Sequence, residues 1–442
     1  MNQDIISFDV GTNFDYRIFD IIKKYDKKHS ITNLYGKLRR DGLPGGRTAA
    51  IVPDFSMDQF KDYLKECQKN NLTFNYLINP LSLDQNMLDP TVGKQIREFI
   101  HTLYDIGVRA VTLNSPALIH YVKKNFPDMF VTLGLYAYPT KIQQIEYWRN
   151  WGVDEITLDH CFNRRFDLLR QLLTQYKDTD LYLRVIANNL CLRECPFRLA
   201  HGCFTGHSDP DRSSIDYSLI NCNYYKVTQP SRILSSEWIR PDDLHYYREL
   251  AEETGNRHFA VKLVDRTRTT DFIERVIRAY MEESYEGNLL DILNWPSTKN
   301  MAQQKMIQKI TEDSEAAPAR PAGGPPPGRP ALRFAEQMYP DVPPRFGRTM
   351  TFPELYIDNR KLDGFIEHFV HDYRCDETLC HGGMTEGEAD NFRNACGYCE
   401  AWAKKAVTYD EQEVAQWKEI ASGLLKSIED GTLYRQQGES HA

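Results

Sequence analysis

Short apolar runs alternate with longer amphipathic segments over the first two-thirds of the chain, and most runs end in polar residues. "DIISFDVG" precedes "FDYRIFDIIKKYDKK", "ITNLYGKL" leads through "GGRTAAIV" to "MDQFKDYLKEC", and "LTFNYLIN" precedes "TVGKQIREFIHTLYDIG". "VRAVTLNS", "MFVTLGLYAY", "VDEITLDH" and "LYLRVIANN" read as further strands, with "PALIHYVKKN", "TKIQQIEYWRNW" and "RFDLLRQLLTQY" as the helices between them. "ILSSEWIRP" and "HFAVKLVDR" bracket the helical "PDDLHYYRELAEE", and "TDFIERVIRAYMEES" closes the series. Near-continuous apolar strands alternating with helices signal a parallel sheet with helices outside it. About eight or nine such strands fit a barrel better than an open sheet, so the expected class is α/β, a TIM-like (β/α) barrel over residues 1–300.

In a barrel of this kind the loops at the carboxyl ends of the strands build the active site. Asn79, Asn114, Tyr136, Asp159, His160, Asn188 and Arg266 stand at such ends, although each taken singly also reads as a cap or turn residue. From about Thr311 the texture changes: "TEDSEAAPARPAGGPPPGRP" cannot bury a core and reads as a linker over 311–350. Residues 351–442 then form a small, mainly helical, cysteine-containing domain, ending in the amphipathic "TYDEQEVAQWKEIASGLLKSIED".

A chain of 442 residues can bury a full core. A formal charge of -8 sets up no global field for nucleic acid, so a small-molecule or peptide substrate is the expected partner. The sequence shows neither an export signal nor an apolar run long enough for a bilayer, which predicts a cytoplasmic protein without membrane association. In a reducing compartment, ten cysteines mean metal or redox chemistry wherever they cluster. Cys67 does not cluster; with Phe60, Tyr63 and Leu64 it follows helical spacing and reads as part of a buried face.

Cys191, Cys195, Cys203 and Cys222 do cluster, starting just after a strand-like run. Four thiolates hold either tetrahedral zinc or an iron-sulfur cluster. Structural zinc prefers C-x2-C knuckles, so C-x3-C at a catalytic rim favours the cluster. Arg198 stands where the radical-SAM spacing would need its third cysteine, which excludes that chemistry. A second group, Cys375, Cys380, Cys396 and Cys399, has the paired spacing of a four-coordinate site for zinc or a second iron-sulfur cluster, with His381 able to replace one thiol. A second cluster would make the small domain an electron relay, whereas zinc would make it a structural module.

"CLRECPFRLAH", a later lone cysteine, "SSEWIRPDDLHYY" and "FAVKLVDRTRTTDFIERVIRAYMEESYEGNLLDIL", together with "LYGKL" and the following "GGR", resemble the collagenase-like peptidase family U32 over about Asp4 to Asn294. The resemblance implies a barrel and a 4Fe-4S cluster held by Cys191, Cys195, Cys222 and one further cysteine, for which Cys203, Cys161 and Cys67 compete. It implies two activities: peptide hydrolysis, and oxygen-independent hydroxylation with prephenate as the oxygen source. The second gives the cluster a purpose, so an oxidoreductase or hydroxylase is the expectation and a peptidase the alternative. The chain shows no G-x-S-x-G or H-E-x-x-H signature. Arg198, Arg240, Lys262 and Arg266 are catalytic candidates, with Arg47 beside them, because cations lower thiol pKa and clamp carboxylates; Asp159, at a strand end, is the acidic candidate. His201 and His207 are candidate ligands or acid-base groups. An electron donor or a partner subunit is the other expected partner, and a zinc-ordered scaffold in a biosynthetic complex is the non-enzymatic alternative.

Overall fold

The computed structural model describes residues 4–208, 210, 216–296, 346, 349, 351–373, 375 and 396–434. Eight strands close into a barrel: β1 (Ile6–Gly11), β2 (Ile31–Gly36), β3 (Thr73–Ile78), β4 (Ala110–Leu113), β5 (Phe130–Leu133), β6 (Glu155–Thr157), β7 (Tyr182–Ile186) and β8 (Phe259–Leu263). Each strand pairs in parallel with the next, and β8 closes on β1 with Ile6 beside Phe259 and Val10 beside Leu263. Helices follow as the amphipathic pattern predicts. Met57–Lys69 starts at a capping box between Ser56 and Gln59 and buries Phe60, Tyr63, Leu64 and Cys67. Cys67 is therefore an interior residue, and burial pushes its thiol up to about 12.

Alternate residues of the strands point to the helices and to the barrel axis, and the axial set is polar. Arg184 on β7 pairs with Asp9 on β1 and, at 2.7 Å, with Glu155 on β6. Its Nε and Nη2 donate to Thr157 Oγ1. Thr132 on β5 donates to Glu155 at 2.9 Å, Asn75 on β3 donates to Thr132 at 3.0 Å, and Thr112 on β4 donates to Asn75 at 2.7 Å. All of these residues are buried. Lys262 on β8 lies in the same interior, its Nζ 3.8 Å from the centre of the Tyr35 ring. Nearer the carboxyl ends, Tyr35, Leu77, Ile186 and Val264 pack together with Leu135 as an apolar layer. Leu135 also lines the cavity at the mouth. The layer thus separates the charged interior from that cavity, and Lys262, a catalytic candidate by sequence, is placed beneath it.

"ILSSEWIRP" is not a strand. Ser231–Ser235 is a short helix, after which Trp238 and Ile239 are buried in a loop whose Ile239 N–H donates to Ala187 O at 2.8 Å. An apolar run filling space between barrel and outer elements carries the same composition as a buried strand.

The C-terminal region has helices Glu367–His371, Tyr398–Ala406 and Glu411–Glu429, and a small antiparallel pair, β9 (Leu355–Ile357) and β10 (Val407–Tyr409). Leu355, Ile357, Phe365, Phe369, Ala406 and Trp417 are continuous with the barrel core, so the described residues of this region share that core. Arg240 explains part of the attachment. Its guanidinium pairs with Asp243 at 2.9 Å, donates to Asn359 O at 2.7 Å and reaches Asp363 at 3.1 Å. Arg240, a catalytic candidate by sequence, is thus a buried tie between barrel and C-terminal region. No described helix is long and apolar enough to cross a membrane. The linker expected over 311–350 lies outside the described residues except for Phe346 and Thr349.

Glu155 gives the barrel a pH signature. Burial, with Asp9 nearby, raises its carboxyl to about 7 against the opposing pull of Arg184. The folded state then holds a proton that the unfolded chain releases, so stability falls as pH rises from about 4.5 to about 7 and levels off above. Urea unfolding across that range is expected to show the decline in the native chain and a flatter profile in Glu155→Gln; an unchanged slope in the variant would remove Glu155 as its source.

Candidate active site at the barrel mouth

The cysteine loop leaves β7 at a fixed point. Asn188 is fully buried; its Nδ2 donates to Val264 O at 2.6 Å and to Ile292 O at 3.0 Å, and its Oδ1 accepts from Val264 N at 2.7 Å. This one side chain fastens the end of β7 to the end of β8. The chain then turns through Glu194, whose φ of 47° is left-handed, and Cys191 and Cys195 face the same cavity. The helix Tyr217–Thr228 presents Cys222 and Lys226, one turn apart, to that same cavity. Cys161, in the turn after β6, lines it too.

Cys203 does not line this cavity, although it lies on the adjoining helix Arg198–Gly206. Spacing along the chain offered it as the fourth thiol, but the helix carries its side chain off the shared wall while the β6 turn brings Cys161 onto it. Cys67 is remote in the core.

The cavity is about 260 Å³, with Leu135, Tyr136, Tyr138 and Phe352 among its apolar and aromatic walls. Asn189 Nδ2 stands 2.9 Å from His160 Nε2 and donates to Cys191 Sγ at 3.3 Å. Burial alone would raise the Cys191 thiol; the His160 contact and the charges of Lys226 and His201 outweigh it and hold the thiol at about 6. Burial would lower the His160 imidazole, but Cys191 and Asp159 shift it upward. Cys195 is raised to about 11 by burial and by the neighbouring Cys222 and Cys191 thiols. Burial, Asp159 and Glu237 push the Cys161 thiol up as well. Lys226 is buried and donates to Leu190 O.

Of the remaining candidates, Arg198 and Asp159 face the cavity together, Arg198 Nη1 donating to Asp159 Oδ2 at 2.7 Å while the guanidinium lies 4.4 Å from the Tyr138 ring centre. Asp159 also caps the turn His160–Arg164 by accepting from Cys161 N at 3.1 Å, so it positions both His160 and Cys161. His201 pairs through Nδ1 with Asp216. His207 is not on the cavity wall. Arg266 is fully enclosed behind the wall, whereas Arg47 and Arg268 stand on it. Lys226 and Arg268 were missed by sequence reasoning; the first follows Cys222 at helical spacing and the second follows Arg266 in the same loop, "DRTRT".

Among the described residues, no three His, Cys, Asp or Glu side chains converge tightly enough for a single metal ion. The thiolates of an iron-sulfur cube bind different irons and so stand wider apart than the ligands of one ion. Cys191, Cys195 and Cys222 share a wall, and Cys195 senses the charge of the other two. As a donor set they fit such a cluster, with Cys161 as the further thiol in the same cavity. Cys375, Cys396 and Cys399 are described in the C-terminal region, and Cys380 and His381 lie outside the described residues.

The sequence model of peptidase family U32 matches residues 46–161. This segment runs from the loop after β2 to Cys161 and ends before the loop that carries Cys191. An uncharacterized protease of Methanocaldococcus jannaschii is 28% identical over 253 residues, covering 57% of this chain and 72% of that protein. Among solved structures, a U32 peptidase is similar over 60% of this chain and 95% of its own, at 13% identity and a TM-score of 0.43. An isomaltulose synthase from Klebsiella covers 95% of this chain and 84% of its own, at 10% identity and a TM-score of 0.33.

Asn188 holds the two strand ends behind the cavity through three buried hydrogen bonds. Asn188→Ala removes three buried hydrogen bonds and leaves their backbone partners unsatisfied, a loss of about 3 kcal/mol. Urea denaturation measures it, and a loss below about 1 kcal/mol would mean that the two strand ends are held by other contacts.

Proposed function

For a barrel akin to peptidase family U32, we propose an enzyme whose cavity at the barrel mouth holds an iron-sulfur cluster on Cys191, Cys195, Cys222 and one further cysteine, and performs an oxygen-independent modification, of hydroxylation type, on a small molecule or peptide. The observation that carries this reading is the convergence of the three thiols on one cavity wall from two separate elements, the loop after β7 and the helix Tyr217–Thr228. Such a cluster supplies one-electron chemistry or a Lewis-acidic iron when bound. The protein's own side chains do the rest. Lys226 and His160 offset the negative charge that thiolates bring to the cavity wall. Tyr138, Leu135 and Phe352 exclude water from the substrate. His201, oriented by Asp216, is the group suited to hold or move a proton. Arg198 is steadied by Asp159 at the entrance.

A second reading is favoured by one specific observation. Cys191, His160 and Asn189 form a contiguous hydrogen-bonded set, which is the constellation of a thiol nucleophile with its base and an orienting amide. It corresponds to the hydrolytic activity in the family's name.

Anaerobic purification with iron and acid-labile sulfide analysis decides between them. The expected result is stoichiometric iron and sulfide that falls to background in Cys191→Ala, Cys195→Ala and Cys222→Ala but persists in Cys203→Ala. Colourless protein lacking sulfide, combined with peptide cleavage abolished by Cys191→Ser and His160→Ala, would replace the redox reading with the hydrolytic one.

A further inference from the structure

The loop after β8 assembles more positive charge than it neutralises. Arg47, Arg266 and Arg268 gather around Asp265, whose carboxylate accepts from Arg47 Nε at 2.8 Å. Among the described residues, this leaves two guanidinium charges at that corner without a carboxylate. The nearby Lys37 does not change the balance, because it is paired with Asp41.

The hydrogen bonding is equally incomplete. Arg268, only 7% exposed, lines the cavity and donates through Nη2 to Asn294 Oδ1 at 2.6 Å, while its Nε has no described acceptor. Arg266, 4% exposed, has neither an Nε nor an Nη2 acceptor among the described residues. It stands directly behind the wall formed by Arg47 and Tyr136, and a Cβ built on Gly45 would come within 3.7 Å of its Nη2. Buried guanidinium groups are ordinarily paired, because desolvating the charge without a partner is costly. Burial and the repulsion from Arg47 push both groups below the usual guanidinium range.

We propose that this corner is the seat of a doubly charged oxyanion group carried by the substrate, contacted by Arg268 and Arg47 at the cavity wall and held electrostatically by Arg266 behind them. Loops after the last strands of a (β/α) barrel are a recurrent place for such groups. The chemistry is shared by a phosphoryl group and by a pair of carboxylates, since guanidinium forks match both. With a cavity of about 260 Å³, the carrier is a small molecule or the end of a larger one. The proposal rests on the reading of this cavity as the substrate site, but not on the presence of a cluster.

The test is titration of the full-length protein with inorganic phosphate, sulfate, succinate and malonate at constant ionic strength against chloride, followed by thermal shift and calorimetry. A saturable rise in Tm is expected with at least one probe, weakened about tenfold or more in Arg268→Gln. A response confined to phosphate and sulfate assigns a phosphoryl group; one confined to succinate and malonate assigns paired carboxylates. Arg266→Met supplies a second readout: binding weakens, while the Tm of the ligand-free protein equals or exceeds that of the native chain, because an unpaired buried charge has been removed. No saturable response to any probe, an undiminished response in both variants, or a lower ligand-free Tm in Arg266→Met would overturn the proposal. Iron and sulfide content, measured on the same preparation, shows separately whether the cluster reading holds.

Discussion

Arg184 stands between two carboxylates that could not both be buried and ionised without it. Asp9 comes from β1 and Glu155 from β6, so a single guanidinium on β7 connects strands that are not all neighbours in the barrel wall. Thr132, Asn75 and Thr112 extend the connection to β5, β3 and β4. Axial positions of a barrel are often filled by branched apolar residues, which pack in several ways at similar cost. Directional hydrogen bonds admit fewer arrangements, and a half-satisfied buried network is worse than none. The network therefore constrains the relative heights of the six strands it joins, and with them the strand ends from which Asp159 and Asn188 emerge.

Strand and helix order was legible in the sequence because period and length distinguish a buried strand from an amphipathic helix. The charged interior was not. Asp9, Arg184 and Lys262 occupy alternate strand positions, and such a position looks the same whether it meets solvent, a cofactor or the barrel axis. For this reason Lys262 stood among the catalytic candidates as a cation within the family-like motifs, although an apolar layer of Tyr35, Leu77, Ile186 and Val264 separates it from the cavity. Arg240 was misplaced for a related reason: sequence alone does not tell an arginine that grips a ligand from one that grips the chain's own carbonyls. The thiols were easier. Cys191 and Cys195 lie too close in sequence to separate widely, whereas the choice between Cys203 and Cys161 depends on the direction of a helix and a turn that spacing does not encode.

The C-terminal region belongs to the site's frame. Arg164 lies 4.6 Å from the Trp238 ring centre and 4.9 Å from that of Phe365, so a buried cation of the barrel is covered by aromatic rings from both parts of the chain. Arg193, inside the cysteine loop, pairs with Glu237 at 2.7 Å and donates to Tyr373 at 3.0 Å. Glu237 and Phe352 both line the cavity. Arg193 thereby ties the C-terminal region to the loop that carries Cys191 and Cys195. The same contacts bring Cys375 within electrostatic reach of Arg193, an arginine of the loop that carries Cys191 and Cys195.

The cavity's positive groups fall into two sets with different obligations. His160, Lys226 and His201 act on Cys191, and negative charge stands beside them in the thiol itself, in Asp216 paired with His201, and in Asp159 near His160. Arg47, from the loop after β2, and Arg266 and Arg268, from the loop after β8, share Asp265. Because charge at the thiol wall is answered locally, occupation of that wall by a cluster does not relieve the guanidinium excess. Conversely, an anion at the guanidinium corner leaves the proton balance of Cys191 and His160 to their own neighbours. The apolar and aromatic residues that line the same cavity suit a ligand with a charged end and an uncharged body. Such a ligand would be oriented by its charge, with its other end directed toward sulfur.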